Sequence, residues 1–162
     1  PFMMTIGTVE PRKNHLGLLN LWRRFAEQNV SAPKLVMLGH IGWENEGVLD
    51  LLDRCAALRG RVLLVSGLSD FAYRHLLTRT QAVLAASFAE GYGIPVVEAL
   101  TSGTPVIATD IPVFREVMQG LGDFCDPLDG LAWQRAILQF MDSRSSAEAC
   151  KRSSRFIAPT WD

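Results

Sequence analysis

Two acidic side chains, Glu90 and Glu98, flank a loop whose composition suits the binding of an anion. Gly91 and Gly93 allow the backbone of this loop to approach a ligand closely. Pro95 suits the first turn of a helix, where an N–H group would have no helical partner, so a helix that begins here presents free N–H groups to an anion. Glu98 falls about one turn into that helix, and both acids can face the same crevice.

Two adjacent cations, Arg12 and Lys13, follow the first apolar run of the chain and precede a predicted helix. The N-terminus of a helix is positive, so cations there are unfavourable unless an anion offsets them. A diphosphate bracketed by these cations on one side and by the loop at 91–94 on the other would supply that anion. A solvated pair of surface cations is the alternative interpretation of this segment.

Glu98 is the candidate for holding the sugar of a nucleotide. A carboxylate is unsuited to contact phosphates, but it accepts hydrogen bonds from vicinal hydroxyls, as an acidic residue does for the ribose in dinucleotide-binding folds. The alternative is a first-turn acid that complements the helix dipole, a contribution of about 0.3–1 kcal/mol.

Several motifs of other chemistries are missing from the sequence. Neither G-x-x-x-x-G-K-[ST] nor a G-x-G-x-x-G after the first strand occurs, which argues against a P-loop nucleotidase and a nicotinamide-dependent oxidoreductase. No Asp-x-Asp pair is present to hold a divalent cation, and the cysteines and histidines are scattered without zinc-ligand spacing. We therefore expect no metal and no cofactor, with the diphosphate neutralised by side-chain cations and backbone amides.

The elements that position these residues are an alternation of short apolar runs and longer amphipathic segments. The runs are predicted as strands, and their continuous apolar character is typical of strands buried on both faces. The predicted strands cover residues 2–9, 34–39, 61–66, 82–87, 104–109 and 122–126. The segments between them repeat apolar residues at helical spacing, for example Leu18, Leu21, Trp22 and Phe25, or Phe71, Leu76 and Leu77.

Strand-helix alternation at this spacing implies an α/β fold, a doubly wound parallel sheet with helices on both faces. Ligands of such sheets bind outside the carboxyl ends of the strands. Both candidate loops follow predicted strands, so we expect them to meet at one edge of the sheet.

Composition narrows the class of protein. The 162 residues carry 16 Lys and Arg against 17 Asp and Glu, a net charge of −1, which offers no electrostatic footprint for nucleic acid or an anionic membrane. Hydrophobic residues make up 48% of the chain, enough for a sizeable core. No apolar run approaches the roughly 18 residues of a membrane span, and the first residues lack the zones of a signal peptide. We expect a soluble, cytoplasmic protein without a transmembrane segment.

The ordered set of motifs resembles the C-terminal, donor-binding domain of retaining glycosyltransferases of the GT-B type, in the glycosyl transferases group 1 family that includes mannosyltransferases and sucrose synthase. Glu90 through Glu98 matches the E-x7-E signature of that family. The match covers nearly the whole chain in order, through the segments at 7–14, 65–70, 87–106, 112–116 and 126–129. The resemblance implies a Rossmann-like doubly wound sheet that forms one half of a two-domain enzyme.

The resemblance also implies roles for individual residues. Arg12 and Lys13 would bind the diphosphate of the donor and stabilise it as the leaving group. Glu90 would lie near the transferred sugar ring, and Glu98 would hold the ribose hydroxyls. The remaining positions would act through their backbone groups. Leu68 would meet the nucleobase, and the residues of the loop would contact the phosphates and the transferred sugar: Gly91, Tyr92, Gly93 and Ile94.

The implied reaction moves a hexose from a nucleoside diphosphate to an acceptor hydroxyl with retention of anomeric configuration, as in polysaccharide biosynthesis. The segments at 10–14 and 110–116 look most like mannosyl- or rhamnosyltransferases of bacterial surface polysaccharides, which favours GDP-mannose as the donor. A non-catalytic nucleotide-sugar-binding module is the main alternative.

Members of this family bind a glycan or lipid-linked acceptor through an N-terminal domain, to which their last helix crosses back. We expect residues 1–162 to be the C-terminal domain alone, a fragment that ends near the family's Trp-acid pattern at Trp161-Asp162 and is inactive by itself. The full-length protein could associate peripherally with a membrane.

Overall fold

The computed structural model describes residues 1–159, apart from the side chain of residue 143, so the predicted Trp161-Asp162 pattern lies outside the described residues. A parallel sheet forms the centre of the molecule. Its strands are β1 Phe2–Ile6, β2 Lys34–Leu38, β3 Val62–Val65, β4 Val83–Ala85, β5 Val106–Thr109 and β6 Asp123–Cys125. Their order is β3-β2-β1-β4-β5-β6, and every neighbouring pair is parallel. This order confirms the predicted doubly wound α/β fold.

Helices cover both faces of the sheet. They are α1 His15–Glu27, α2 Glu46–Arg54, α3 Asp70–Leu77, α4 Ile94–Thr101, α5 Pro112–Met118, α6 Gly130–Gln139 and α7 Ser143–Ser153. The first core cluster joins one face of the sheet to α1, α2, α6 and α7, and the second joins the other face to α3, α4 and α5. The apolar face of each helix is therefore buried against strands that are themselves apolar.

The predicted apolar face of α1 is the anchor of the first core cluster. Leu18, Leu21, Trp22 and Phe25 are each at most 7% exposed. The rings of Trp22 and Phe25 meet edge to face with centroids 5.7 Å apart, and Trp22 Nε1 donates a hydrogen bond to the Pro33 carbonyl oxygen at 2.8 Å. This packing fixes α1, and with it the loop that leads from β1 into the helix.

Two packing predictions are wrong. Strand β3 is not buried on both faces, because it lies at the edge of the sheet and Leu63 is 51% exposed. Phe71 does not face the core, since it is 81% exposed and its ring stacks on that of His75. An apolar residue type indicates burial only when a neighbouring element is there to cover it, and the sequence pattern does not identify the edge strand.

The reversal of strand order falls between β1 and β4, which pair at Met4 and Val83. The chain leaves β1 towards α1 on one face and leaves β4 towards α4 on the other, and such a divergence opens a crevice at the carboxyl ends of the strands. Both strands end earlier than predicted, at Ile6 and Ala85. The apolar residues that follow are partly or fully buried but belong to the loops that form the crevice.

Candidate functional site

The carboxylate of Glu90 joins both cations of the loop that follows β1. Lys13 Nζ donates to Glu90 Oε1 at 2.6 Å, and Arg12 Nη1 donates to Glu90 Oε2 at 2.7 Å. Ser87 Oγ also donates to Oε1, at 2.7 Å. The two loops are connected through the backbone as well, since Phe88 N–H donates to the Arg12 carbonyl oxygen at 2.8 Å. The structure therefore brings the predicted cations and the first predicted acid together.

The charge state of Glu90 follows from these contacts. Burial by itself raises the pKa of Glu90, whose side chain is 9% exposed, but hydrogen bonds from Lys13, Ser87 and Arg12 outweigh burial and hold the pKa below its usual value. The hydrogen bond with Glu90 in turn raises the pKa of Arg12. Glu90 and Arg12 are therefore both charged at neutral pH.

A second acid, Glu10, holds the other side of Arg12. Arg12 Nη2 donates to Glu10 Oε1 at 2.6 Å, and Trp43 Nε1 donates to Glu10 Oε2 at 3.1 Å. The charges of Glu10, Arg12, Lys13 and Glu90 therefore sum to zero. The sequence predicts that the anion of a ligand offsets these cations, whereas in the structure two carboxylates of the chain itself do so.

The start of α4 lies beside this cluster. Gly93 precedes the helix with a φ of +84°, and Pro95 lies in the first turn, as the sequence predicts. Within residues 1–159, the N–H groups of Gly91, Gly93 and Ile94 donate no hydrogen bond. Gly93 lines the same small crevice as Lys13 and Glu90. Backbone donors and side-chain cations are thus near each other at the switch point of the sheet.

Glu98 lies apart from the cation cluster. Its Oε2 accepts a hydrogen bond of 2.6 Å from the hydroxyl of Tyr73 on α3. Leu68, in the loop between β3 and α3, packs with Tyr73 and Tyr92 against the second core cluster. Leu68 and Glu98 are therefore on the α3–α4 side of the crevice, whereas Glu90 connects to the loop that enters α1.

Sequence reasoning missed three side chains that shape this edge: Glu10, Trp43 and Tyr73. Glu10 stands two residues before Arg12, a spacing that could have suggested an ion pair. Trp43 and Tyr73 come from other β–α units, and nothing in the local pattern marks them. Their contacts depend on which strands are neighbours, which is a property of the fold.

A cavity of about 570 Å³ lies between α1 and residues 127–133, which form the end of the β6–α6 connection and the first turn of α6, and its lining includes Asn14 and Ala86. None of the predicted site residues lines it. No group of three or more potential metal ligands occurs within residues 1–159. In the same part of the chain, no helix has both the length and the apolar character needed to cross a bilayer.

Comparison with known proteins finds mannosyltransferases that are similar in sequence to this chain. O-antigen chain mannosyltransferase B of Escherichia coli is 30% identical over 147 residues, which cover 91% of this chain and 38% of that protein. A serotype-specific mannosyltransferase WbdA of E. coli is 34% identical over 123 residues, 74% of this chain and 14% of that protein. The chain thus spans less than two fifths of the length of these relatives.

Solved structures share the fold. The crystal structure of TarM superposes with a TM-score of 0.75 at 18% identity, over 95% of this chain and 32% of that one. A variant of S. aureus TarM in complex with fondaparinux, α-GlcNAc-glycerol and UDP gives a TM-score of 0.78 at 20% identity, over 94% and 31%. The model of the family described as glycosyl transferases group 1 matches residues 1–155. The chain therefore belongs to the glycosyl transferases group 1 family.

Proposed function

We propose that this chain binds a nucleoside-diphosphate hexose and forms the donor half of a glycosyltransferase that moves the hexose to an acceptor hydroxyl with retention of configuration. The observation that carries the proposal is the junction of Arg12, Lys13 and the N-terminus of α4 at the carboxyl ends of β1 and β4. Side-chain cations and free amides at a topological switch point suit a diphosphate.

The proposed chemistry uses these donors on the leaving group. As the bond between sugar and phosphate breaks, negative charge grows on the diphosphate. Donors that are already aimed at this position stabilise the transition state more than the bound donor substrate, and so lower the barrier. Lys13, Arg12 and the amides at 91–94 take this role, and the diphosphate needs no metal ion.

Glu90 has two positions in this proposal. In the structure it keeps both cations in place, at 2.6 and 2.7 Å. A diphosphate that enters the crevice replaces Glu90 as the anion that both cations contact, because it carries more charge than one carboxylate. The displaced carboxylate is then free to accept hydrogen bonds from hydroxyls of the hexose, next to the bond that breaks.

GDP-mannose is the favoured donor. The support is that both sequence relatives reported above are mannosyltransferases, one named for an O-antigen chain and the other as serotype-specific. The acceptor is then a growing glycan or a lipid-linked sugar, which another part of the enzyme binds. This proposal places the protein in polysaccharide biosynthesis in the cytoplasm.

Thermal unfolding of the 162-residue chain in EDTA tests the nucleotide proposal. A ligand at 100 times its Kd stabilises the folded state by about 2.7 kcal/mol, which raises Tm by roughly 5–10 °C for a domain of this size. We expect such a shift with GDP or UDP and none with NAD.

Two variants provide the control for this assay. Lys13→Ala removes one of several proposed phosphate ligands and should make the shift smaller. Arg24→Ala removes an exposed cation of α1 that lines the separate cavity, and it should leave the shift unchanged. Stabilisation by NAD alone, or an equal shift in wild type and Lys13→Ala, would contradict the proposal.

A further inference from the structure

Among residues 1–159, only the hydroxyl of Tyr73 donates a hydrogen bond to the Glu98 carboxylate. It reaches Oε2 at 2.6 Å, from the middle of α3 to the middle of α4. The two residues are 25 positions apart in the chain, so the contact joins separate β–α units. The second oxygen, Oε1, accepts no hydrogen bond from the described residues and remains available to a ligand.

Tyr73 is held more firmly than the carboxylate that it contacts. Its side chain is half-buried and packs against the second core cluster, and it stands one helical turn before the buried Leu77 of that cluster. Glu98 is exposed on α4. A glutamate on a helix surface samples several rotamers, and fixing it costs conformational entropy. A rigid hydroxyl at hydrogen-bond distance selects the rotamer before any ligand arrives.

The protonation state of Tyr73 fits a permanent donor. Burial, followed by the hydrogen bond to Glu98, raises the pKa of Tyr73 above its ordinary value. The phenol therefore keeps its proton throughout the neutral range, and Glu98 remains the acceptor. This leaves the full acceptor capacity of Oε1 for hydroxyl groups.

We propose that Tyr73 is a positioning residue, which holds the Glu98 carboxylate in the orientation that binds the ribose hydroxyls of the donor nucleotide. The inference rests on the proposed function, because it assumes that Glu98 contacts the ribose. It adds a side chain from α3, the helix that follows the loop of Leu68, to the recognition of the nucleoside.

The proposal makes the effect of Tyr73 depend on the sugar of the nucleotide. Without the Tyr73 hydroxyl, the nucleotide itself must order the Glu98 side chain, so a ribonucleotide binds more weakly. A nucleotide without the 2′ and 3′ hydroxyls makes no hydrogen bond to Glu98 and gains nothing from its orientation. A merely structural role of Tyr73 would weaken both nucleotides alike.

Calorimetric titration of the chain tests this difference. The probes are GDP or UDP, whichever the wild type binds more tightly, and the 2′,3′-dideoxy form of the same nucleotide. We expect Tyr73→Phe to weaken binding of the ribonucleotide roughly 3- to 10-fold and to leave the dideoxy form unchanged, since one oriented hydrogen bond has about that effect. In a Glu98→Ala background, which lacks the acceptor, Tyr73→Phe should cause no further loss.

Thr78→Val is the matched control, because it removes a hydroxyl from the C-terminal end of the same helix, where Thr78 Oγ1 donates to the His75 carbonyl oxygen. It should leave both affinities unchanged. An equal loss for both nucleotides in Tyr73→Phe, or no loss for either, would overturn the role of Tyr73 while GDP or UDP binding by the wild type still stands. Absence of any ribonucleotide binding by the wild type would overturn the proposed function itself, and this inference with it.

Discussion

Lys13 is the more enclosed of the two cations, with a side chain 13% exposed against 41% for Arg12. Water screens an enclosed charge less, so Lys13 acts more strongly on charge that develops beside it. In the proposed full-length glycosyltransferase, we expect Lys13→Ala to lower kcat roughly 100-fold while the KM for the proposed donor, GDP-mannose, changes much less. Steady-state kinetics measure both parameters, and Arg24→Ala serves as the control. A rise in KM with unchanged kcat would show that Lys13 contributes to binding alone.

A second residue-scale prediction concerns His15, which is 2% exposed at the start of α1. Burial, with the charge of Lys13 as a smaller cause, lowers the pKa of His15 to about 4 from its ordinary 6.5. Between these values the unfolded chain binds a proton that the folded chain does not bind. The contribution of His15 to the free energy of unfolding is therefore fully present above pH 6.5 and decreases as the pH drops to about 4. The total loss from this group is at most about 3 kcal/mol.

Urea denaturation between pH 7 and pH 4.5 measures this loss. His15→Leu should remove most of the slope, whereas His40→Gln, at an exposed position, should keep it. The lowered pKa of Glu90 affects the free energy of unfolding mainly below its ordinary value of 4.5, which is outside the pH range of this experiment. A slope that survives in His15→Leu would assign the pH dependence to another group.

The candidate site residues differ in how far the sequence could identify them. Arg12, Lys13, Glu90 and Glu98 stand next to glycines, a proline and predicted strand ends, so local rules place them at a ligand edge. Tyr73 carries no such mark, because its partner lies 25 residues away on another helix. The pairing of Glu90 with both cations was also beyond local rules, since it depends on how closely two loops approach.

At the scale of the elements, the two ends of α4 offer a matched pair of glycines. Gly93 and Gly103 both have positive φ values, of +84° and +73°, and flank the same helix. A Cβ at position 93 would lie 2.8 Å from a ring carbon of Phe114, which is 1% exposed, whereas a Cβ at position 103 would meet nothing within 4 Å. The first change therefore adds overpacking to the backbone strain that both share.

We expect Gly103→Ala to cost about 1–2 kcal/mol of unfolding free energy, and Gly93→Ala to cost at least about 1 kcal/mol more. Urea denaturation of the two variants gives the difference directly. Equal losses would mean that the Phe114 ring yields freely and does not hold the start of α4. Because position 93 belongs to the proposed phosphate loop, its variant should also bind nucleotide more weakly.

The elements themselves were largely predictable, but their ends and exposed sides were not. The apolar runs located all six strands, because a strand covered by helices on both faces has few polar residues. The strands predicted from these runs are longer than the observed β1 and β4, because buried residues continue past the strand ends into the loops of the crevice. The exposure of Leu63 and Phe71 follows from their place at the edge of the molecule, which is decided by tertiary structure.

At the scale of the whole molecule, the strand order explains why residues distant in the chain meet at the candidate site. The chain builds β1 to β3 on one side and β4 to β6 on the other, so the loops after β1 and β4 meet at the reversal. A nucleotide that spans this edge would place its diphosphate at the cation cluster and its nucleoside towards α3. The same arrangement leaves the cavity beside α6 outside the proposed site.

The central claim is that the loops at 12–13 and 91–94 bind one diphosphate together. Backbone amide shifts in ¹H–¹⁵N spectra of the chain test this most directly, with a titration of GDP compared against guanosine, or UDP against uridine. We predict that the nucleoside diphosphate shifts the amides of both loops, and that the nucleoside shifts those near Leu68 and Glu98 but leaves the phosphate loops unchanged. Diphosphate-dependent shifts confined to the lining of the cavity between α1 and α6 would contradict the account.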